Sequence, residues 1–175
     1  TQEFVNYWFA EEVQVELAAL GDAIQQVEEP AVKVFLELAL SAIIITKSGG
    51  VSFAFDLAHT RPHRAKIALA QNGEVILGHD LLQDQSPRVK FLTKSLKSPI
   101  EEFGKRVASN QKHIPSPELD QCPQIGFADA QLLPLLDSTV DLIVTSPPYA
   151  ANAIDYMRAH KFSLVWLGYD VGELG

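Results

Sequence analysis

The stretch "DLIVTSPPYA", Asp141 to Ala150, runs four apolar or β-branched residues directly into Ser-Pro-Pro-Tyr. An unbroken run of this kind predicts a parallel strand buried on both faces. Proline fixes φ and has no N–H, so residues 146–149 are expected to form a rigid segment outside any ladder, at the strand's C-terminal end. That end is where open α/β sheets bind ligands.

A chain of 175 residues with 47% hydrophobic content is long enough for one domain, or one and a fraction, with a real core. No apolar run approaches the roughly 20 residues that span a bilayer, so a soluble protein is expected. The single cysteine, Cys122, rules out an internal disulfide and fits a reducing, cytoplasmic setting. The start at Thr1, with neither methionine nor signal peptide, suggests a piece of a longer chain.

The net charge of −8 argues against a nucleic-acid partner, but the charges are unevenly placed. Residues 61–113 hold ten basic and five acidic side chains inside an otherwise acidic protein. "HTRPHRAK" (residues 59–66) and "RVKFLTKSLK" (residues 88–97) are the candidates for phosphate contact, through Arg61, Arg64, Lys66, Arg88 and Lys90. A solvated lysine-rich face explains the same pattern.

Phe9, Val13, Leu17, Leu20, Ile24 and Val27 step by three and four, which predicts one helix with an apolar stripe. Pro30 restarts a second helix over residues 31–46 that is apolar nearly all round and so is expected to be buried. "KIALAQNGEVILG" holds Asn72-Gly73 between two apolar runs, which reads as a hairpin turn or as a loop. Ser98-Pro99-Ile100-Glu101 has the order of a capping box and predicts a helix from about residue 99 to 110. "QIGFADA" (residues 124–130) and "VDLIVT" (residues 140–145) read as strands. The segment after the prolines reads as a helix with Ile154, Met157, Leu164 and Val165 as core.

A Ser-Pro-Pro-Tyr at a strand end is rich in acceptors, because its prolines bring carbonyls without N–H groups. The Ser146 hydroxyl and the Pro147 carbonyl suit a planar –NH2 group, taking both of its hydrogens. The lone pair of an aromatic amine is delocalised into its ring. Two accepted hydrogen bonds hold it toward an electrophile, which is catalysis by positioning and fixed dipoles. Tyr149 can stack on the ring that carries the amine.

"DSTVDLIVTSPPYANAIDY", with "GFADAQLLP" before it, resembles motif IV and the preceding strand of the DNA amino-methyltransferases, which transfer a methyl group from S-adenosylmethionine to an exocyclic amine. The serine form is similar to the cytosine-N4 branch more than to the adenine enzymes. The resemblance implies an α/β fold: part of a Rossmann-like methyltransferase sheet in residues 121–175, behind a mostly helical insertion or target-recognition region in residues 1–120. It implies that Ser146, Pro147, Pro148 and Tyr149 form the target-amine pocket. Asp129, with Ala130, would meet the cofactor's adenine, and DNA would be the partner, with its base flipped out of the duplex. Arg158, on the helix after the loop, would reach the same DNA.

The family's glycine-rich turn for the methionine end of the cofactor has no counterpart, since no two glycines here are separated by one residue. The resemblance places that half before Thr1, and the incomplete sheet would leave an edge strand open to self-association. Two other functions fit the residues: an RNA or protein amide methylase, and a non-catalytic helical module that binds DNA. A metal site is not expected, because His59 and His63 are four apart with a helix-breaking proline between them.

Overall fold

The apolar stripe of residues 6–27 folds as two helices, α1 (Gln2–Trp8) and α2 (Glu11–Gln25). The predicted single helix breaks at Phe9, whose backbone is extended at φ −133° and ψ 139° while its N–H still bonds the Val5 carbonyl at 2.9 Å. The break turns the Phe9 ring into the core, 1% exposed and edge-on to Trp166 at 5.0 Å between centroids. Beyond it, Val13, Leu17, Gly21 and Ile24 bury one face of α2, as the spacing predicts.

This computed structural model describes residues 1–46, 50–56, 63–84, 86–114, 125–146 and 156–173. The chain divides into two units, one made of residues 1–113 and 154–175 and the other of residues 114–153.

In the first unit, α3 (Pro30–Ile44) starts with proline in its first turn, behind the carboxylate of Glu29, which accepts from the Ala31 N–H. The expectation that α3 is buried all round is corrected. Ala39, Leu40, Ile43 and Ile44 are buried, whereas Val32, Val34 and Leu38 are exposed. The packing of α2 and of the helices Pro99–Gln111 and Tyr156–Leu164 covers one face of α3 and leaves the other bare.

Helix α4 (Pro87–Phe91) is one short turn capped by Ser86. Helix α5 (Pro99–Gln111) begins at the predicted capping box, where the Ser98 hydroxyl accepts from the Glu101 N–H at 3.3 Å. A second acceptor comes from α2: the Glu16 carboxylate takes the Ser98 hydroxyl at 2.5 Å and the Ile100 N–H at 3.1 Å. A negative charge at a helix N-terminus is favoured by the aligned peptide dipoles.

Helix α6 (Tyr156–Leu164) leads into a single 3-10 turn at Val165–Leu167. Its buried residue among those described is Phe162, which the sequence did not suggest; Leu164 and Val165 are half-buried, Val165 packing against the core, and Ile154 and the Met157 side chain lie outside the described residues. Phe162 stacks edge-on against Phe4 at 5.1 Å and Trp8 at 4.9 Å. Offset and edge-on pairs of this kind add about 1 kcal/mol each beyond the area they bury.

Two small sheets complete the unit. Strands β1 (Ala54–Asp56) and β2 (His63–Arg64) pair antiparallel. The other sheet has the order β4-β3-β5, with β3 (Ile67–Leu69) antiparallel to β4 (Val75–Leu77) and parallel to β5 (Thr93–Ser95). Of the two readings of "AQNGE", the hairpin is the one formed. Gly73 takes φ +85°, its N–H bonds the Ala70 carbonyl at 3.0 Å, and Asn72 Oδ1 accepts from the Glu74 N–H.

The second unit departs from expectation. Residues 125–146 contain no strand, only an isolated bridge between Asp129 and Leu132. The strands predicted over 124–130 and 140–145 are therefore not formed in the described residues 125–130 and 140–145. A parallel strand satisfies its N–H and C=O groups only through neighbouring strands, and no ladder among the described residues includes this segment. Its apolar side chains stand in solvent instead: Ile125 is 97% exposed, Phe127 107% and Val144 87%. The protein is thus a mixture of helices and small sheets, and the sheets lie in the first unit.

Candidate functional site

Residues 142–146 carry no regular hydrogen-bonded structure, and Ser146 at their end is exposed. Its hydroxyl has no hydrogen-bond partner among the described residues, so two lone pairs and one hydrogen remain available. Pro147, Pro148 and Tyr149 lie outside the described residues. The chain reaches Ser146 after a tight turn in which Ser138 takes φ +61° and the Thr139 hydroxyl donates to the Leu136 carbonyl at 2.7 Å.

Asp129 caps a turn rather than a helix. Its Oδ1 accepts from the Gln131 N–H at 2.8 Å while its carbonyl accepts from the Leu132 N–H at 2.9 Å. The second carboxylate oxygen has no partner among the described residues and can accept a further hydrogen bond. Ala130 beside it is exposed.

The basic candidates separate by environment. Lys66, Arg88 and Lys90 are exposed, and the last two sit together on α4. Arg61 lies outside the described residues, as does the side chain of Arg158. Arg64 is held in place: its Nε donates to the Tyr7 carbonyl at 2.8 Å, and its guanidinium lies 4.4 Å from the Tyr7 ring centroid and 5.1 Å from that of Phe53.

Within "RVKFLTKSLK" one lysine is unfit for phosphate contact and another is already paired. Lys94 on β5 is only 4% exposed, and its Nζ donates to the Ala54 carbonyl across to β1. Burial pushes its ammonium down from 10.5 to about 8. Lys97 is engaged with Glu102 at 3.6 Å. On α5, Lys105 pairs with Glu102 at 2.9 Å and Glu101 at 3.7 Å; its hydrogen bond holds the Glu102 carboxyl below the ordinary range, and the same bond raises the Lys105 ammonium.

Two features escaped the sequence. One is buried Lys94, which the alternation of β5 signals only once that three-residue strand is known. The other is a groove of about 1070 Å³ between α1, the start of α2, Phe53 just before β1, and the strand residues Arg64, Ile76 and Leu77. Its polar wall is a row of amides in which Asn6 Oδ1 accepts from Gln2 Nε2 at 2.9 Å and from Gln14 Nε2 at 3.4 Å. The groove draws on four separate stretches of chain, so no local pattern announces it.

Among the described residues no group of three or more His, Cys, Asp or Glu side chains is placed to hold a metal ion, and no helix is long and apolar enough to cross a membrane. No protein-family model, no curated protein and no solved structure matches the chain.

Proposed function

We propose that this chain carries the target-amine segment of an S-adenosylmethionine-dependent DNA amino-methyltransferase, with the N4 amine of cytosine as its preferred target. The observation that carries the reading is the Ser146 hydroxyl, exposed and without a hydrogen-bond partner among the described residues, at the end of an apolar run and directly before two prolines. A rigid acceptor-rich turn needs such a group at its mouth.

In this reading the Ser146 oxygen and the Pro147 carbonyl each accept one hydrogen of the amine. Both N–H bonds are then fixed in the plane of the acceptors, and the nitrogen lone pair is turned out of conjugation with the ring. The cofactor, when bound, supplies a sulfonium-activated methyl group. With it bound, the amine nitrogen would bond to that carbon as the carbon–sulfur bond broke, and the Ser146 oxygen and Pro147 carbonyl would receive the surplus proton's hydrogen bonds as it left the nitrogen. Positioning and fixed dipoles are all the loop provides.

Asp129 fits one end of the cofactor, since its turn uses one carboxylate oxygen and leaves the other for a donor. The methionine end calls for a glycine-rich turn that these 175 residues do not contain. The remaining strands and those contacts are accordingly assigned to other polypeptide, a flanking segment or an associating chain, against which the apolar residues of 125–144 become buried. Lys66, Arg88 and Lys90 are the phosphate contacts of the proposal, giving affinity for DNA that falls steeply with salt.

The test is methyl transfer from labelled cofactor to duplex DNA by the complete protein. Ser146→Ala is expected to lower kcat by on the order of 100-fold with little change in DNA affinity, the scale of one lost stabilising contact. Unchanged turnover in that variant, or transfer to tRNA with none to DNA, refutes the reading.

A further inference from the structure

We infer that the groove between α1, α2 and the sheet binds a purine base and selects guanine by its two hydrogen-bonding edges. The inference deepens the nucleic-acid reading above and rests on it for the ligand class, though not for the site.

The groove holds opposite charges apart. Arg64 stands on the sheet side, Glu11 and Glu12 at the start of α2, and neither carboxylate comes within 4.0 Å of the guanidinium; among the described residues the ion pairs are Lys97–Glu102, Lys105–Glu101 and Lys105–Glu102. A guanidinium and two carboxylates that line one groove without pairing leave room for a ligand that answers both. Arg64 is also preorganised. The Tyr7 and Phe53 rings and the Tyr7 carbonyl fix its plane and its Nε, and the two terminal nitrogens have no partner among the described residues.

A fixed fork of this kind asks for two adjacent acceptors in one plane, which guanine offers in O6 and N7. The opposite edge of the same base carries N1–H and the 2-amino group, donors for which carboxylates are the natural acceptors. Adenine presents a donor where guanine has O6, so it meets the fork with one hydrogen bond lost. The apolar lining given by Ile76 and Leu77 suits a flat ring. Two carboxylates against one guanidinium make the groove unfavourable for a phosphate, so the base enters and its phosphate stays outside.

The experiment is calorimetric titration of the full chain with guanosine, adenosine, cytidine and the dipeptide Ala-Leu, none of which carries a phosphate. Guanosine is expected to bind with Kd on the order of 100 µM, at least tenfold tighter than the other three. Arg64→Lys, which keeps the charge and loses the fork, is expected to weaken guanosine at least tenfold, and Glu12→Ala, an exposed change that leaves the core intact, to weaken it severalfold. Circular dichroism checks that both variants are folded; should Arg64→Lys unfold, Glu12→Ala decides alone. Equal affinity for adenosine, equal affinity for the dipeptide, no heat with millimolar guanosine, or an unaffected folded variant each overturns the proposal. Methyl transfer plays no part in this readout, so the two proposals fail separately.

Discussion

Lys94 is a cation held in a place that disfavours its charge, and replacing it by methionine tests that directly. The side chain is 4% exposed, its one hydrogen-bond partner among the described residues is the Ala54 carbonyl, and burial lowers its ammonium from 10.5 to about 8. The unfolded chain holds that proton until about 10.5, so between these values it binds more protons than the folded chain and stability rises with pH. Below about pH 8 the penalty is present in full, roughly 3 kcal/mol. Between pH 7 and pH 9.5 the natural protein should therefore gain about 2 kcal/mol, seen as a urea midpoint higher by about 1 M. Lys94→Met keeps most of the stem's volume and removes the titrating group, so its midpoint should stay flat over the same range. At pH 7 the variant escapes the desolvation penalty but leaves the Ala54 carbonyl unpaired, at about 1 to 3 kcal/mol, so the two are close there. An equal rise of both proteins with pH would refute the assignment of the charge to a desolvated site.

Other expectations follow from the packing. Gly21→Ala, which in a free helix adds about 1 kcal/mol of stability, should instead destabilise by about 2 kcal/mol or more, because the new Cβ would stand 2.4 Å from the Trp166 carbonyl; thermal unfolding gives the sign. Ser98→Ala removes the cap of α5 and a partner of Glu16, and should cost about 1 to 2 kcal/mol in chemical denaturation. Val144→Ser should change the stability of this chain by no more than about 0.5 kcal/mol, since Val144 is 87% exposed; in a complete sheet the same change would cost several times as much.

The helices were legible because their signals are local. Glu29-Pro30 and Ser98-Pro99 mark two starts within one turn each, and the stripe of Val13, Leu17 and Ile24 names the buried face of α2. Even there, tertiary packing overrode the pattern at Phe9, where an extended backbone brings the ring to Trp166 and Phe162. The Asn72-Gly73 turn was legible as one of two options, since turn chemistry allows a hairpin and only the pairing of β3 with β4 settles it. Lys94 and Arg64 looked alike as basic residues of the middle third. Their environments, a closed interior and a lined groove, depend on contacts between distant stretches that no spacing encodes.

The apolar run of residues 142–144 poses an energetic question that the proposed function answers. Leu142, Ile143 and Val144 are consecutive and all exposed, so a strand through them would present apolar groups on both faces. Burying each is worth about 1.5 to 3 kcal/mol, a sum large enough to offset the ordering of a short strand. An antiparallel edge with one wet face would leave part of this gain unused; a central parallel strand uses all of it. Under the proposed function, the two segments ending near Asp129 and Ser146 pair in parallel, which carries both ends to the same edge of the sheet. The acceptor for the cofactor and the acceptor for the target amine are then assembled by one folding step. Pairing that protects the amides of 140–145 from hydrogen exchange should accordingly appear together with cofactor binding, and exchange protection without any gain in cofactor affinity would break the link.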